Sequence, residues 1–435
     1  MKIIIMKRKF LSILSLIGMS LSVNAQNAWV NDSVSMATGS GNDVFYSMAN
    51  GTVKSENNMN WHLAFSMFAG DSSAIWANHN AGNAFVKVYN VHKDKSQWGS
   101  ITLNDTLTAT PCFNLDQKWS QGALNDIPSA NPFNFGWGTY NQVTHNLYGD
   151  SIFIVKANNV FYKVFIDSLQ STTMTYSYTV GDIVANTNNS YTLAKGTKYA
   201  NSNFAYINLA NGADSLREPD NATWDIFFTR YNSLVAQGGP VQPYSVIGAL
   251  GNRGISFGKA AMIHVDTACN NYGTYTTPWN NTISAIGYDW KSFTPPGGPW
   301  VVPDSLSYFI KDKSNKIYQL QFTGYSGSGT GNIYFRKRMV NPTKVNDLYS
   351  IVNQYSVYPN PAQNNINILL DTKSSGMATM QLIDFTGKII MTYAVKIQEG
   401  INAFTWPVAN IANGNYILNI LGENIQLHEQ ILIAK

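Results

Sequence analysis

The apolar positions of this chain recur every second residue, not every third or fourth. Ser151-Ile152-Phe153-Ile154-Val155 and Phe161-Tyr162-Lys163-Val164-Phe165-Ile166 read as strands around an Asn158-Asn159 turn. Asn tolerates the left-handed backbone that tight hairpins require. Thr173-Met174-Thr175-Tyr176-Ser177-Tyr178 alternates more strictly, as a half-buried strand does. Beyond the first two dozen residues no amphipathic helical stretch is predicted. The pattern predicts an all-β chain of antiparallel sheets.

The alternation is organised as an internal repeat. Tyr46-Ser47-Met48-Ala49-Asn50-Gly51 leads to Trp61-His62-Leu63-Ala64-Phe65-Ser66, and Tyr206-Ile207-Asn208-Leu209-Ala210-Asn211-Gly212 leads to Trp224-Asp225-Ile226-Phe227-Phe228-Thr229-Arg230. In each copy a strand ends in an Ala-Asn-Gly turn, and a second strand opens on Trp. The copies also close alike. The 152–178 strands correspond to Ser307-Tyr308-Phe309-Ile310, Lys316-Ile317-Tyr318-Gln319-Leu320 and Asn332-Ile333-Tyr334-Phe335-Arg336. Two tandem antiparallel β-domains are expected, at 27–185 and 195–342.

A polar linker at 343–353 precedes a tail of different texture, 354–435. Tyr355-Ser356-Val357-Tyr358 runs into Pro359-Asn360-Pro361, a hard turn because each Pro fixes φ and lacks a donor. Short strands follow at 366–370, 380–383, 389–393, 403–406, 416–420 and 430–433. Their alternation fits one face of a small β-sandwich.

The N-terminus sets the compartment. Lys2, Lys7, Arg8 and Lys9 precede an apolar run from Phe10 to Val23, and Val23-Asn24-Ala25 offers a small-residue cleavage site before Gln26. That is the pattern of a secretory signal peptide, 1–25, cut between Ala25 and Gln26. No later run is long enough to span a bilayer, so no transmembrane segment is expected in the mature chain.

Export also rewrites the charge. The formal net charge is +4, and residues 1–25 carry four Lys/Arg and no Asp/Glu, leaving 4 − 4 = 0 for the mature chain. The basic balance is an export feature and gives no reason to expect nucleic-acid binding. Charged residues are only 12% of the chain and aromatics 13%, which suits an extracellular, aromatic-rich β-protein. Cys112 and Cys269 permit one disulfide in an oxidising compartment; two buried free thiols are the alternative. No CxxC pair points to a metal or redox site.

Two resemblances follow from these motifs. Val357-Tyr358-Pro359-Asn360-Pro361, Asp384-Phe385-Thr386-Gly387-Lys388, Gly414-Asn415-Tyr416-Ile417-Leu418 and the terminal Ile433-Ala434-Lys435 resemble the type A C-terminal sorting domain of type IX secretion in Bacteroidetes. The resemblance implies an immunoglobulin-like sandwich, recognition of 354–435 by the secretion machinery, and a protein secreted or held on the outer surface. Trp224-Asp225-Ile226-Phe227-Phe228-Thr229-Arg230-Tyr231, with the closing strands at 307–336, resembles the HmuY-like family of haem-binding surface proteins. The first copy departs from that pattern, with His62 where Asp225 stands and Ser66-Met67 in place of Thr229-Arg230.

The second resemblance implies a non-enzymatic protein that captures haem or a related hydrophobic ligand; an adhesive surface protein binding glycans or proteins is the alternative reading. A bis-histidine haem site needs imidazoles from opposite faces. Of six histidines, four lie in the first copy, and His79, His92 and His145 are its candidates, the first two in a long middle insertion. In the second copy His264 has Met262 two residues away on the same expected strand face. Trp76, Trp98, Trp119, Trp137, Trp279, Trp290 and Trp300 sit in loop-like surroundings, suited to stacking on a flat ligand or to filling sandwich edges. Gly254-Ile255-Ser256-Phe257-Gly258 spells a nucleophile elbow, but its β-like surroundings lack the helix that such an elbow feeds. No other catalytic constellation is found, and an enzyme is not expected.

Overall fold

The structure, a computed structural model, describes residues 28–68, 73–78, 86–125, 131–236, 240–293, 298–340, 352–384, 386–422 and 425–435. The expected signal peptide, its Ala25/Gln26 cleavage site and most of the 343–353 linker lie outside them. The chain divides into two compact units between Asn341 and Pro342.

The expected hairpins form where the turn chemistry put them. Asn158 and Asn159 both take positive φ, 50° and 65°, and join Ile152–Ala157 to Val160–Gln170 with Ala157 opposite Val160. Asn315, at φ 62°, closes the hairpin of Leu306–Lys311 and Ile317–Tyr325. The strands are nearly all antiparallel, and the chain is all-β apart from short helical turns.

In the first unit two sandwiches share one chain. One core lies between an eight-stranded sheet, with Thr187–Ala194 outermost beside Thr175–Asp182, and the four-stranded sheet Asp214–Ser215, Phe204–Ile207, Leu63–Ser66, Ile75–Ala77. Phe65, Phe153, Val164, Tyr176 and Trp137 fill it. The other lies between the five-stranded sheet Val30–Ser35, Asn332–Met339, Ile317–Tyr325, Leu306–Lys311, Ser256–Ala261 and the four-stranded sheet Gln242–Gly251, Ile226–Val235, Asn42–Ser47, Gly51–Asn57. Tyr46, Phe228, Phe257, Trp290, Phe322 and Phe335 fill that one.

The two sandwiches exchange strands along the chain. Strands from the start of the 27–185 segment pair into the second sandwich, Val30↔Lys337 and Tyr46↔Ile226, while Thr187–Ala194 and Phe204–Ile207 complete the first, Tyr176↔Leu193 and Ile207↔Leu63. The N-terminal arm, 30–57, thus closes the second sandwich of the first unit. Val34, Met36, Val44, Tyr46 and Met48 of that arm are all buried in its core.

Equivalent hydrogen bonds mark both junctions. The Asp225 amide donates to Tyr46 O and the His62 amide to Ile207 O, each at 2.8 Å. The Met48 amide donates to Asp225 Oδ2 at 2.7 Å, and the Leu209 amide to His62 Nδ1 at 3.0 Å. Asn252 Nδ2 donates to Trp224 O at 2.7 Å, Asn78 Nδ2 to Trp61 O at 2.9 Å. The residue after each tryptophan is therefore a buried acceptor for the other copy's turn.

The second unit is a two-sheet sandwich. Val352–Tyr358, Asn365–Thr372 and Gly400–Pro407 form one sheet; Ile389–Ile397, Gly376–Asp384, Gly414–Gly422 and Ile425–Ile433 form the other. Ile366, Ile368, Leu370, Met380, Leu418, Ile420 and Ile431 alternate inward to make its core.

Candidate ligand-binding site

The expected histidine site is not assembled among the described residues. His79 lies outside them. His92 is exposed at φ 51°, with Nε2 2.9 Å from Thr110 Oγ1. His145 is exposed at φ 58°, with Nδ1 2.7 Å from Tyr140 Oη. Each imidazole is tied to its own loop, and no hydrogen bond or ring contact joins the two. His62 is buried and structural, and burial lowers its pKa to about 4, so it stays neutral. His264 is not on a strand with Met262. It caps a short helix, Val265–Asn270, accepting from the Asp266 amide at 3.3 Å, while Met262 is 93% exposed at φ 59°. No cluster of His, Cys, Asp or Glu suited to a metal is found among the described residues.

The structure joins Cys112 and Cys269 by no disulfide: both are buried, in different clusters, Cys112 with Val88, Val86 and Ala123, and Cys269 with Ala260, Ala268 and Phe309. Ser256 opens an antiparallel strand paired with Lys311, so it sits on no strand-turn-helix elbow. Most of the loop tryptophans are core: Trp137 and Trp290 are fully buried, and Trp76 and Trp119 nearly so.

Trp300 is different. It is 38% exposed and belongs to a cleft of about 600 Å³ at one end of the second sandwich, within the range of roughly 300–1,000 Å³ usual for small-molecule sites. One wall is a two-residue ribbon, Ser292–Phe293 against Trp300–Val301, where Phe293 and Trp300 rings lie 5.3 Å apart. Trp300 meets Tyr325 edge-on at 5.1 Å. The Gln242–Gly251 strand also lines the cleft, with Tyr244, 46% exposed, Ser245 and Ile247. Exposed aromatic side chains suit a flat apolar guest.

Two basic side chains, Arg230 and Lys291, line the cleft. Arg230 donates through Nη2 to Gly39 O at 2.8 Å, and its buried Nε has no partner among the described residues; nor does the buried Ser245 Oγ. Lys291 Nζ donates to Ile247 O at 2.5 Å and lies 4.2 Å from the Trp290 ring centre and 5.1 Å from that of Tyr325. Burial pushes its pKa down to about 7, against a smaller upward pull from Asp289. Asp289 is itself paired with Lys259 at 2.8 Å. No carboxylate is among the described residues lining the cleft, so an anionic ligand would meet donors only.

Sequence reasoning singled out Trp300 as a stacking candidate but passed over Lys291, Arg230 and Ser245. A Lys in a polar loop sequence looks solvated, and only the fold shows that Trp290, Trp300 and Tyr325 enclose it. A second buried network was also missed. Arg217 pairs with Asp43 at 3.0 Å, both almost fully buried, and neighbouring Glu218 accepts from Tyr206 Oη at 2.8 Å and from the Asn203 amide at 2.6 Å. These groups satisfy one another at the seam between the two sandwiches and leave little for a ligand.

Comparison with known families gives two matches. Residues 200–336 match the HmuY protein family, and residues 356–434 match the secretion system C-terminal sorting domain. The second match marks the chain as exported by type IX secretion to the cell surface or the extracellular space. No curated protein matches the chain. The cleft and all its described lining residues fall within 200–336.

Proposed function

We propose that the exported chain is a non-enzymatic binding protein that captures a flat, apolar, carboxylate-bearing ligand in the Trp300 cleft, with haem the first candidate. The observation carrying this is the cleft itself: the exposed aromatics Tyr244, Phe293 and Trp300 line it together with Arg230 and Lys291. A porphyrin offers a large flat apolar ring and two carboxylates at one edge, and the cleft offers partners for both. It offers no imidazole or thioether. Ring stacking and carboxylate pairing would carry the affinity, with the exposed Tyr244 phenol the nearest candidate for the iron.

The reading extends to the first copy. The 27–185 and 195–342 segments are two tandem copies of one HmuY-like unit, although the family model matches the second alone. The paired hydrogen bonds at Asp225 and His62 support that duplication. The cleft proposed for the ligand lies in the second copy, so one ligand per chain is expected there.

Titration of the exported chain with haem tests this, read by the Soret band and by tryptophan quenching. Trp300→Ala and Arg230→Gln should each weaken binding by about tenfold or more, the loss of one stacking face or one charge-assisted contact. His79→Ala, His92→Ala and His145→Ala should leave it unchanged. Loss of binding in a histidine variant, with Trp300→Ala binding normally, would move the site to the first copy.

A further inference from the structure

Among the described residues, most sheet edges of the first unit carry a device that discourages another strand. Val30–Ser35 carries Asp32, Ser256–Ala261 carries Lys259, and Gly51–Asn57 carries Lys54 and Glu56 beside a register shift. Gln242–Gly251 contains Pro243, Thr110–Cys112 contains Pro111, and Ile75–Ala77 and Asp214–Ser215 are two or three residues long. Charges, proline, bulges and shortness are the means by which natural edges avoid pairing with a stranger.

Thr187–Ala194 has none of them. Its sequence, Thr-Asn-Asn-Ser-Tyr-Thr-Leu-Ala, holds no charge and no proline, and it pairs with Thr175–Asp182 through eight consecutive residues without a shift. It is the outermost strand of its sheet, and among the described residues no strand covers its other side. The strand is also anchored through its side chains. Tyr191 stacks on Tyr178 at 5.3 Å, Leu193 enters the core, and Asn188 accepts from Trp98 Nε1 at 2.8 Å. An anchored edge strand with an unbroken register is a template for strand addition.

We infer that Thr187–Ala194 is an interaction edge, and that its partner is the same edge of a second copy of this chain, paired antiparallel about a two-fold axis. Self-pairing fits this edge for two reasons. It bears no charge, so no like charges face each other across the axis. Its exposed Asn188, Ser190 and Thr192 are the small polar side chains that hydrogen-bond to their own kind across antiparallel strands. The chain after residue 25 is also formally neutral, 4 − 4 = 0, so no net repulsion opposes a second copy. A two-fold arrangement uses one patch twice and closes, which ends growth at two copies.

Sedimentation equilibrium of the exported chain over a concentration series tests the proposal. The expected result is a mass that rises to twice that of one chain. Ser190→Lys combined with Thr192→Lys places like charges on both edges and should return a single-chain mass at the same concentrations. Thr52→Lys, a control on the already charged Gly51–Asn57 edge, should leave the doubled mass intact. Circular dichroism and the unfolding midpoint establish that each variant is folded. Should the Ser190/Thr192 variant be unfolded, Thr192→Lys alone serves in its place. A parent chain of single mass throughout the series, or a folded lysine variant that keeps the doubled mass, would overturn the assignment.

Discussion

Replacing Tyr46 tests whether the N-terminal arm is part of the second sandwich's core. Tyr46 is fully buried, packs edge-on against Phe335 at 5.2 Å and Phe228 at 6.0 Å, and donates to Asp32 at 2.6 Å. Truncating a buried aromatic to Ala removes its burial and leaves a void, together costing about 3–5 kcal/mol. That is a large share of the roughly 5–15 kcal/mol that holds a domain folded. Tyr46→Phe keeps the ring and loses the bond to a carboxylate. Its cost should fall near the low end of about 1.5–3 kcal/mol, since Asp32 is itself partly exposed. Urea unfolding followed by tryptophan fluorescence reads both variants, because Trp406 is the only one of eleven tryptophans in the tail. Parent-like midpoints for both variants, within about 0.5 kcal/mol, would mean that the arm does not complete this core.

Three further outcomes follow from the same geometry. The 200–336 segment expressed alone should not fold, because it lacks the 30–57 arm; the arm's five buried apolar side chains, at about 1.5–3 kcal/mol each, are worth roughly 8–15 kcal/mol gross. Adding the 28–60 segment in trans should restore β-structure by circular dichroism, and a well-folded isolated 200–336 would refute the arm's role. Anionic ligand capture should weaken as pH rises through about 7, where Lys291 loses its proton in the free cleft, and Lys291→Met should flatten that profile in a binding titration run from pH 6 to 8.5. His62, held near 4 by burial, takes its proton more readily unfolded than folded, so its contribution to stability is lost as pH falls from about 6.5 toward 4. His62→Asn keeps an acceptor for the Leu209 amide and should remove that part of the acid sensitivity, measured as the change in unfolding midpoint with pH.

Local features of the fold were legible because their causes are local. The Asn158-Asn159 turn was set by residues that accept positive φ, and its hairpin formed around it. The closing partner of each strand was not legible. Tyr46-Ser47-Met48 and Tyr206-Ile207 carry the same apolar alternation, so either could pair beside Leu63 or Ile226, and only the three-dimensional fold decides that each crosses to the other copy. His62 and Asp225 looked like a departure between copies, yet both serve as the same buried acceptor. The short helix at 265–270 escaped notice because six residues show too little periodicity.

The candidate site was half legible. Trp300 stood out as an aromatic in a polar stretch, and the fold left it exposed at the cleft wall. The histidines stood out for their chemistry alone, and the fold tied His92 to Thr110 and His145 to Tyr140 instead of to each other. Lys291 could not be picked from the sequence, because its desolvation comes from Trp290 and Tyr325, one adjacent and the other 34 residues away (325 − 291).

The most direct examination of ligand capture is a crystal structure of the exported chain grown with haem. Electron density for the ring between Tyr244 and the Phe293–Trp300 wall, with its carboxylates at Arg230 and Lys291, is the predicted result. A ring gripped between first-copy histidines, or a cleft that stays vacant at saturating haem, would contradict it.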